Sequence, residues 1–303
     1  MENLSEDSVD VSPEEGVDIS PSVDTSPEED NVDVSPDISP DEDSVDISPD
    51  EAVIEIRELY KTLNKKMILP TEKVKATAIN PKKLVIFSKP KTGKSSLVAQ
   101  LENNLIIDLE NGTDYIDALK VKANNFDELR EIINALKQGH NYSYITIDTI
   151  TKLEDIILPY ACMLYKNTTI GKNYKGDNVL ELPKGAGYLY VREAFMNVIN
   201  TFAKLVPNLI LIGHLKDVDV EKEGKEITGK ELDLTGKLKS ILGADVDAIG
   251  LLYRGKNRQN ILTFKTNNEV VCGARPNHLK DMDFVVSELT EEGLITYWDK
   301  IFI

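Results

Sequence analysis

The segment SKPKTGKSS, from Ser88 to Ser96, has the spacing of a phosphate-binding loop, G-x-x-x-x-G-K-[ST], with serine in place of the first glycine. In such a loop Gly93 lets backbone N–H groups approach phosphates, Lys94 reaches phosphate oxygens, and Ser95 offers a hydroxyl to Mg²⁺. The first glycine lets a chain turn without a Cβ, so Ser88 should act on loop geometry. The predicted nucleotide-binding residues are Ser88, Thr92, Gly93, Lys94, Ser95 and Ser96.

The flanking residues supply the setting that this motif requires. The run KLVIF, Lys83 to Phe87, is apolar and β-branched and predicts a buried strand. The run SSLVAQLE, Ser95 to Glu102, predicts a helix with Leu97, Val98 and Leu101 on one face. Strand, loop and helix together favour a nucleotide site over the alternative, a basic turn without nucleotide.

Two carboxylates end predicted strands, at the edge where parallel sheets bind ligands. Asp148 closes YITID and is expected to hold Mg²⁺, whereas the alternative is a cap on the following helix. Glu110 lies just past NLIIDL and is the candidate that orients or deprotonates the attacking water, in preference to Asp108 within that strand. The alternative for Glu110 is that it opens a turn with Asn111 and Gly112.

His214 follows a third apolar run, NLILIG, where a group sensing the terminal phosphate would lie. A single histidine there could equally be a packing or capping residue. The other histidines, His140 and His278, are too scattered to suggest zinc, and Cys162 and Cys272 are predicted to be buried free thiols.

The first 51 residues differ in composition from the rest. They hold 19 of the 52 acidic residues and six of the 13 prolines, with no lysine, arginine or aromatic residue. Val-Asp-x-Ser-Pro recurs five times at irregular spacing, and such frequent prolines forbid regular structure. We therefore predict a disordered acidic tail over 1–51, with a protein partner as one possible role.

Without that tail the chain carries 33 acidic and 35 basic residues, so the net charge of −17 belongs to the tail. A nearly neutral domain is compatible with a local basic stripe that binds nucleic acid. No run of 18 apolar residues predicts a transmembrane helix, and no signal peptide is evident, so a cytoplasmic protein without membrane contact is expected.

Strands and helices alternate after the tail, which predicts an α/β fold with a mostly parallel central sheet flanked by helices. A lead-in helix and linker are expected over 52–82 and one domain over 83–303. The remaining predicted elements are strands at Asn104–Leu109, Tyr144–Asp148 and Leu209–Gly213, a helix capped by Asn125 and Glu128, a helix over Leu153–Lys166 bent near Pro159, and a helix over Gly187–Leu205.

Four segments in this order, KPKTGKSS, IIDLENG, YITIDTI and LILIGHLKD, resemble the core of RecA-like ATPases, and within them the small phage-type single-strand annealing ATPases. The resemblance covers about residues 80–285. It implies a RecA-like P-loop NTPase that binds ATP and Mg²⁺, with Asp148 as the Walker B acid, Glu110 as catalytic carboxylate and His214 as sensor. Ser88 departs from the pattern, which bears on turnover.

The resemblance also implies single-stranded DNA as a partner and a homo-oligomer. It would place two loops against DNA, Asn167–Tyr190 and Lys216–Lys239, although solvated flexible loops are the alternative. The first loop mixes cations with rings, as single-strand binding requires. A predicted hairpin turning near Lys256 to Asn260 clusters Arg254, Lys256 and Arg258, which could serve as a cationic finger from a neighbouring subunit or as a DNA contact.

Three functions therefore remain open. The first is a DNA-dependent ATPase of the RecA class, acting in recombination, annealing or replication. The second is a small-molecule P-loop kinase, against which stands the lack of arginine between residues 167 and 185. The third is a nucleotide-gated binding module without turnover, to which Ser88 lends support.

Overall fold

The computed structural model describes residues 69–303, except 223–224 and 267–269. The chain divides into two units, Met1–Glu72 and Lys73–Ile303, and every element named below belongs to the second. The predicted acidic tail over 1–51 and the predicted helix after residue 52 lie outside the described residues. From residue 69 to the first strand the chain forms neither helix nor strand.

The strands within the described ranges are, in chain order, β1 (Lys83–Ser88), β2 (Asn104–Asp108), β3 (Lys120–Lys122), β4 (Tyr144–Asp148), β5 (Asn208–Lys222), β6 (Lys225–Leu232), β7 (Ala248–Arg254), β8 (Gln259–Thr263), β9 (Gly273–Ala274), β10 (Asp283–Leu289) and β11 (Leu294–Thr296). The α-helices of the same ranges are α1 (Lys94–Ala99), α2 (Phe126–Lys137), α3 (Ile150–Ile156), α4 (Leu158–Lys166), α5 (Gly187–Leu205) and α6 (Leu238–Asp245). None of these helices is long and apolar enough to cross a membrane.

One mixed sheet organises the domain, in the order β11-β10-β8-β7-β1-β5-β4-β2-β3. The run from β7 to β3 is parallel, and β8, β10 and β11 extend it with antiparallel pairs. Strand β6 pairs with the far half of β5 and makes one isolated bridge, from Lys230 to Val270, and β9 pairs with β7. The predicted α/β fold with a mostly parallel sheet is confirmed.

Alternate residues of the central strands point to opposite faces of the sheet and pack into two hydrophobic cores. Val85 and Phe87 of β1 join the core under α2 to α6, whereas Leu84 and Ile86 join the core under α1 and the C-terminal turn. All four side chains are fully buried. Strands buried on both faces read as continuous apolar runs, which is why KLVIF, NLIID and YITID were recognisable in the sequence.

Several predicted elements match and two need refinement. The bounds of β4 and α5 agree with prediction. The helix expected over Leu153–Lys166 is two helices, broken at Ile157, because Pro159 sits in the first turn of α4 and cannot supply an N–H to a continuous helix. Helix α1 ends at Ala99 rather than Glu102, before a left-handed turn at Asn103.

The prediction of a loop over Lys216–Lys239 is wrong. Strand β5 runs on past Gly213 to Lys222 and pairs antiparallel with β6 over eight residue pairs, so most of that segment is a β-hairpin. The alternation of valine with aspartate in DVDVEK, from Asp217, is the period-two signal of a strand, and it was read as charge in a loop.

The other predicted loop, Asn167–Tyr190, is a folded segment with three short 3₁₀ turns, at Gly171–Asn173, Val179–Glu181 and Pro183–Gly185. Two of its rings are not free to stack on bases. Tyr174 donates its hydroxyl to the carbonyl of Asn178 at 2.7 Å, and both Tyr174 and Tyr190 pack edge-on against Tyr165. Tyr188, 40% exposed, is the ring that this segment presents to solvent.

Candidate nucleotide-binding site

The sheet register brings the predicted site residues to one edge. Ser88 of β1 aligns with His214 of β5, and Asp108 of β2 aligns with Asp148 of β4. Ser88, Asp108 and Asp148 are the last residues of their strands, and His214 lies where β5 passes from parallel pairing with β1 to antiparallel pairing with β6. Ligands bind at this edge of open α/β sheets, because the connecting loops and helix N-termini converge there.

The phosphate loop turns through two residues with positive φ, Lys91 at 60° and Gly93 at 104°. Ser88 has no positive φ, so the replacement of the usual glycine leaves the backbone unstrained at that position. The hydroxyl of Thr92 donates to the carbonyl of Lys89 at 2.7 Å and fixes the turn from within. Ser96, half-buried, lies in the first turn of α1.

Lys94 is the first residue of α1, and its side chain folds back into the loop. Its ammonium donates to the hydroxyl of Ser88 at 3.0 Å and to the carbonyls of Ser88 and Lys89, each at 3.3 Å. Burial lowers the pKa of Lys94 below its usual range, although the negative charges of Asp148 and Glu110 act in the opposite direction. The ammonium therefore stands between the loop and the two carboxylates.

Ser95 and Asp148 make direct contact, since the Ser95 hydroxyl donates to Oδ2 of Asp148 at 2.5 Å. Asp148 is only 6% exposed, and burial raises its pKa above the usual range while the Ser95 hydrogen bond opposes that shift. A buried carboxylate beside a hydroxyl is an all-oxygen donor set of the kind that Mg²⁺ takes together with phosphates. Thr149, not Asp148, caps α3, which removes the alternative role predicted for this aspartate.

The neighbouring acids, Asp108 and Glu110, have separate surroundings. Asp108 accepts hydrogen bonds from the backbone N–H groups of Glu110, Gly112 and Thr113 and from the Thr113 hydroxyl. Burial would raise its pKa, but these donors outweigh burial and hold the pKa below the usual range. Asp108 thus stabilises the turn after β2, whereas the side chain of Glu110 extends across the site to Thr149 and His214.

One carboxylate oxygen of Glu110 contacts two side chains. Its Oε1 accepts from the Thr149 hydroxyl at 2.5 Å and lies 3.0 Å from Nε2 of His214. Because a carboxylate oxygen accepts, this contact requires a proton on Nε2 of His214. The backbone N–H of His214 donates to the Thr151 hydroxyl at 3.1 Å, and its Nδ1 is buried with no hydrogen-bond partner among the described residues.

The sequence matches the family described as "AAA domain" over residues 80–275, which is more than half of the chain. The chain belongs to the AAA domain family. No curated protein matches it significantly. Among solved structures it is similar to the crystal structure of the RadB recombinase, at 15% identity and a TM-score of 0.41, over 72% of this chain and 92% of the other.

In this AAA domain the hairpin of β7 and β8 lies against the phosphate loop of the same chain. Nη2 of Arg254 donates to the carbonyl of Lys91 at 3.2 Å. The side-chain nitrogen of Asn260 lies 3.5 Å from where a Cβ on Gly93 would stand. Lys256 and Arg258 are exposed at the turn. Arg254 was considered as a cation from a neighbouring subunit, and the structure places it beside its own loop.

A groove of about 620 Å³ opens between α5 and the connection from β6 to α6. Its lining includes three cations, Lys184, Arg192 and Lys237, together with the exposed ring of Tyr188. An adjoining cavity of about 250 Å³ is lined by acids, among them Glu154, Asp155 and Asp233. The charged groove therefore has a basic part and an acidic part.

Backbone hydrogen bonds tie the groove to the site. The N–H of Asp233 donates to the carbonyl of His214 at 2.9 Å, and the N–H of Thr235 donates to the Glu154 carboxylate at 3.0 Å. The segment that follows β6 thus lines both the groove and the adjoining cavity, and it is hydrogen-bonded to His214 in the middle of β5.

Sequence reasoning missed three contributors to this region. Thr149 both caps α3 and donates its hydroxyl to Glu110, a contact that no sequence motif marks. Asn260 was predicted only as part of the hairpin turn, and Arg192 gave no motif signal within its helix. Their places follow from the β7–β8 pairing and from the packing of α5, which only the tertiary structure supplies.

Proposed function

We propose that this AAA domain is a RecA-like ATPase that binds ATP with Mg²⁺, hydrolyses it, and acts on single-stranded DNA in recombination, annealing or replication. The observation that carries the proposal is the convergence of Lys94, Ser95, Asp148 and Glu110 on one sheet edge. The phage-type, single-strand annealing assignment rests on the four sequence segments that resemble that group.

Each residue has a role that its contacts support. Lys94, a buried point charge, would bind the terminal phosphates, and backbone N–H groups after Gly93 would bind the others. Ser95 and Asp148 would hold Mg²⁺, which supplies charge neutralisation on the phosphates when bound. Glu110 would orient the attacking water through the carboxylate oxygen that Thr149 does not occupy, and His214 would respond to the terminal phosphate through its bond to Glu110.

Single-stranded DNA is the proposed partner because of the charged groove. A strand needs cations for its phosphates and a ring on which a base can stack, and the groove offers Lys184, Arg192, Lys237 and Tyr188. Thr235 lines the groove, and Asp233, two residues before it, donates to the carbonyl of His214, which gives a route by which an occupied groove would alter the surroundings of Glu110.

The proposal is tested by measuring ATP turnover with and without single-stranded DNA in the full chain, the R192A/K237A variant and a charge-matched control. The control is K137A/K204A, which removes two exposed lysines from the ends of α2 and α5. We expect DNA to stimulate turnover in the parent and the control. In R192A/K237A turnover without DNA should persist while stimulation is lost.

Other outcomes separate the competing functions. Nucleotide binding without turnover under any condition would identify a nucleotide-gated module. Phosphate transfer to a small molecule would identify a kinase. Equal stimulation of R192A/K237A and K137A/K204A would remove the groove as the strand site. A homo-oligomer is part of the proposal and is tested by the molar mass in solution with ATP and DNA.

A further inference from the structure

The hydroxyl of Ser88 occupies one of the three donors of the Lys94 ammonium. An ammonium has three N–H donors and no acceptor. Here they meet three acceptors of the loop itself, the Ser88 hydroxyl and the carbonyls of Ser88 and Lys89. The shortest of these contacts, 3.0 Å, is the one to the hydroxyl. The lysine of this loop is therefore saturated by its own chain.

The Ser88 hydroxyl is itself oriented for this contact. It donates its proton to the carbonyl of Lys89 at 2.9 Å, so its lone pairs are available to the ammonium. Ser88 is fully buried, which excludes water as a substitute partner on that side. Burial of Lys94 to 6% exposure strengthens any hydrogen bond that the ammonium makes.

A phosphate can be bound by Lys94 only if at least one of these three bonds is released. The two carbonyls belong to the turn, and Thr92 holds one of them in place by a second hydrogen bond. The hydroxyl can rotate away without moving the backbone. It is therefore the acceptor that a phosphate oxygen would displace at the lowest cost.

We propose that Ser88 is an affinity-setting residue, whose hydroxyl competes with nucleotide phosphate for Lys94 and weakens nucleotide binding relative to a loop without it. This inference rests on the proposed nucleotide function. Ser88 stands where the phosphate-loop pattern has glycine. Its effect is to weaken nucleotide binding, and it does not distort the backbone.

The test is isothermal titration of the full chain with Mg²⁺–ADP and Mg²⁺–ATP, in the parent, S88A, S88T and K94A. S88A removes the competing acceptor and keeps a Cβ, so we expect its affinity to rise about tenfold, the lower end of the effect of one hydrogen bond to a charged group. S88T keeps the hydroxyl and should therefore show no gain in affinity. In steady state, KM for ATP in S88A should fall by the same factor.

Thermal unfolding of each variant identifies any loss of folding. S88A and S88T both keep the Cβ, but only S88T keeps the hydroxyl, so their comparison tests the hydroxyl. Unchanged or weaker binding by S88A, with the parent binding normally and K94A not binding, would overturn the inference while leaving the proposed function intact. Failure of the parent to bind either nucleotide would overturn the proposed function, and the inference with it.

Discussion

Asp108 and Glu110 are two residues apart in the sequence, yet their contacts give them different roles, one in the turn and the other in the site. Asp108 accepts three backbone N–H groups and a hydroxyl and is 2% exposed, whereas Glu110 contacts Thr149 and His214 across the site. The sequence favoured Glu110 because it lies past the strand end. The structure adds the physical reason, since a carboxylate with four donors has no capacity left for water.

Replacing Asp108 with asparagine should therefore destabilise the fold. The amide loses the charge and directs an N–H₂ group at donors, and we expect the free energy of unfolding to fall by about 2–3 kcal/mol. Urea denaturation of D108N measures this, with D117N, an exposed aspartate of the same loop, as control. Equal stabilities of D108N and D117N would contradict the assignment.

The pH dependence of that difference has a defined sign. The folded-state pKa of Asp108 lies below its usual range, so its contribution to stability is present above the unfolded-state pKa, near pH ~4. The contribution is lost as pH falls through the lower folded-state pKa. The stability gap between the parent and D108N should thus be constant near neutrality and narrow in acid.

At the scale of elements, local sequence pattern predicted the buried strands but not every strand pairing or contact between elements. The strands β1, β2 and β4 were evident because burial on both faces makes them continuously apolar. The far half of β5 was missed because its valine–aspartate alternation, a local strand signal, was taken as the charge of a loop, although its partner β6 begins only three residues after β5 ends. The β7–β8 hairpin was predicted, but not that it would lie on the phosphate loop.

That contact leads us to propose that Arg254 acts within its own chain. We expect R254A to lower ATP turnover about tenfold, because a guanidinium beside the loop stabilises charge on the phosphates. R258A, at the exposed turn of the same hairpin, is the matched control and should be nearly unaffected.

A mixing experiment distinguishes action in the same chain from action on a neighbour. R254A has an intact loop, and K94A has an intact Arg254. If Arg254 acts within its own chain, mixtures of the two variants should show no more activity than their sum. Recovery of turnover in the mixture would place Arg254 in a neighbour's site.

At the scale of the whole molecule, the acidic tail predicted over 1–51 carries 19 negative charges on a chain that is otherwise nearly neutral. A tethered polyanion competes at high effective concentration for cations that would bind DNA phosphates. We expect deletion of residues 1–51 to tighten binding of single-stranded DNA, most strongly at low salt. Identical binding curves with and without the tail, across a salt series, would leave it as a solubilising or partner-binding segment.

Hydrolysis by Glu110 is the claim on which the proposed activity depends, and the E110Q variant tests it most directly. Its ATP affinity should stay within about threefold of the parent, because Lys94 and Ser95 are untouched. Its phosphate release, with single-stranded DNA present, should fall at least ~100-fold, the range for loss of a group that activates water. E102Q, an exposed glutamate just after α1, is the control. Phosphate release by E110Q at the rate of E102Q would contradict the assignment.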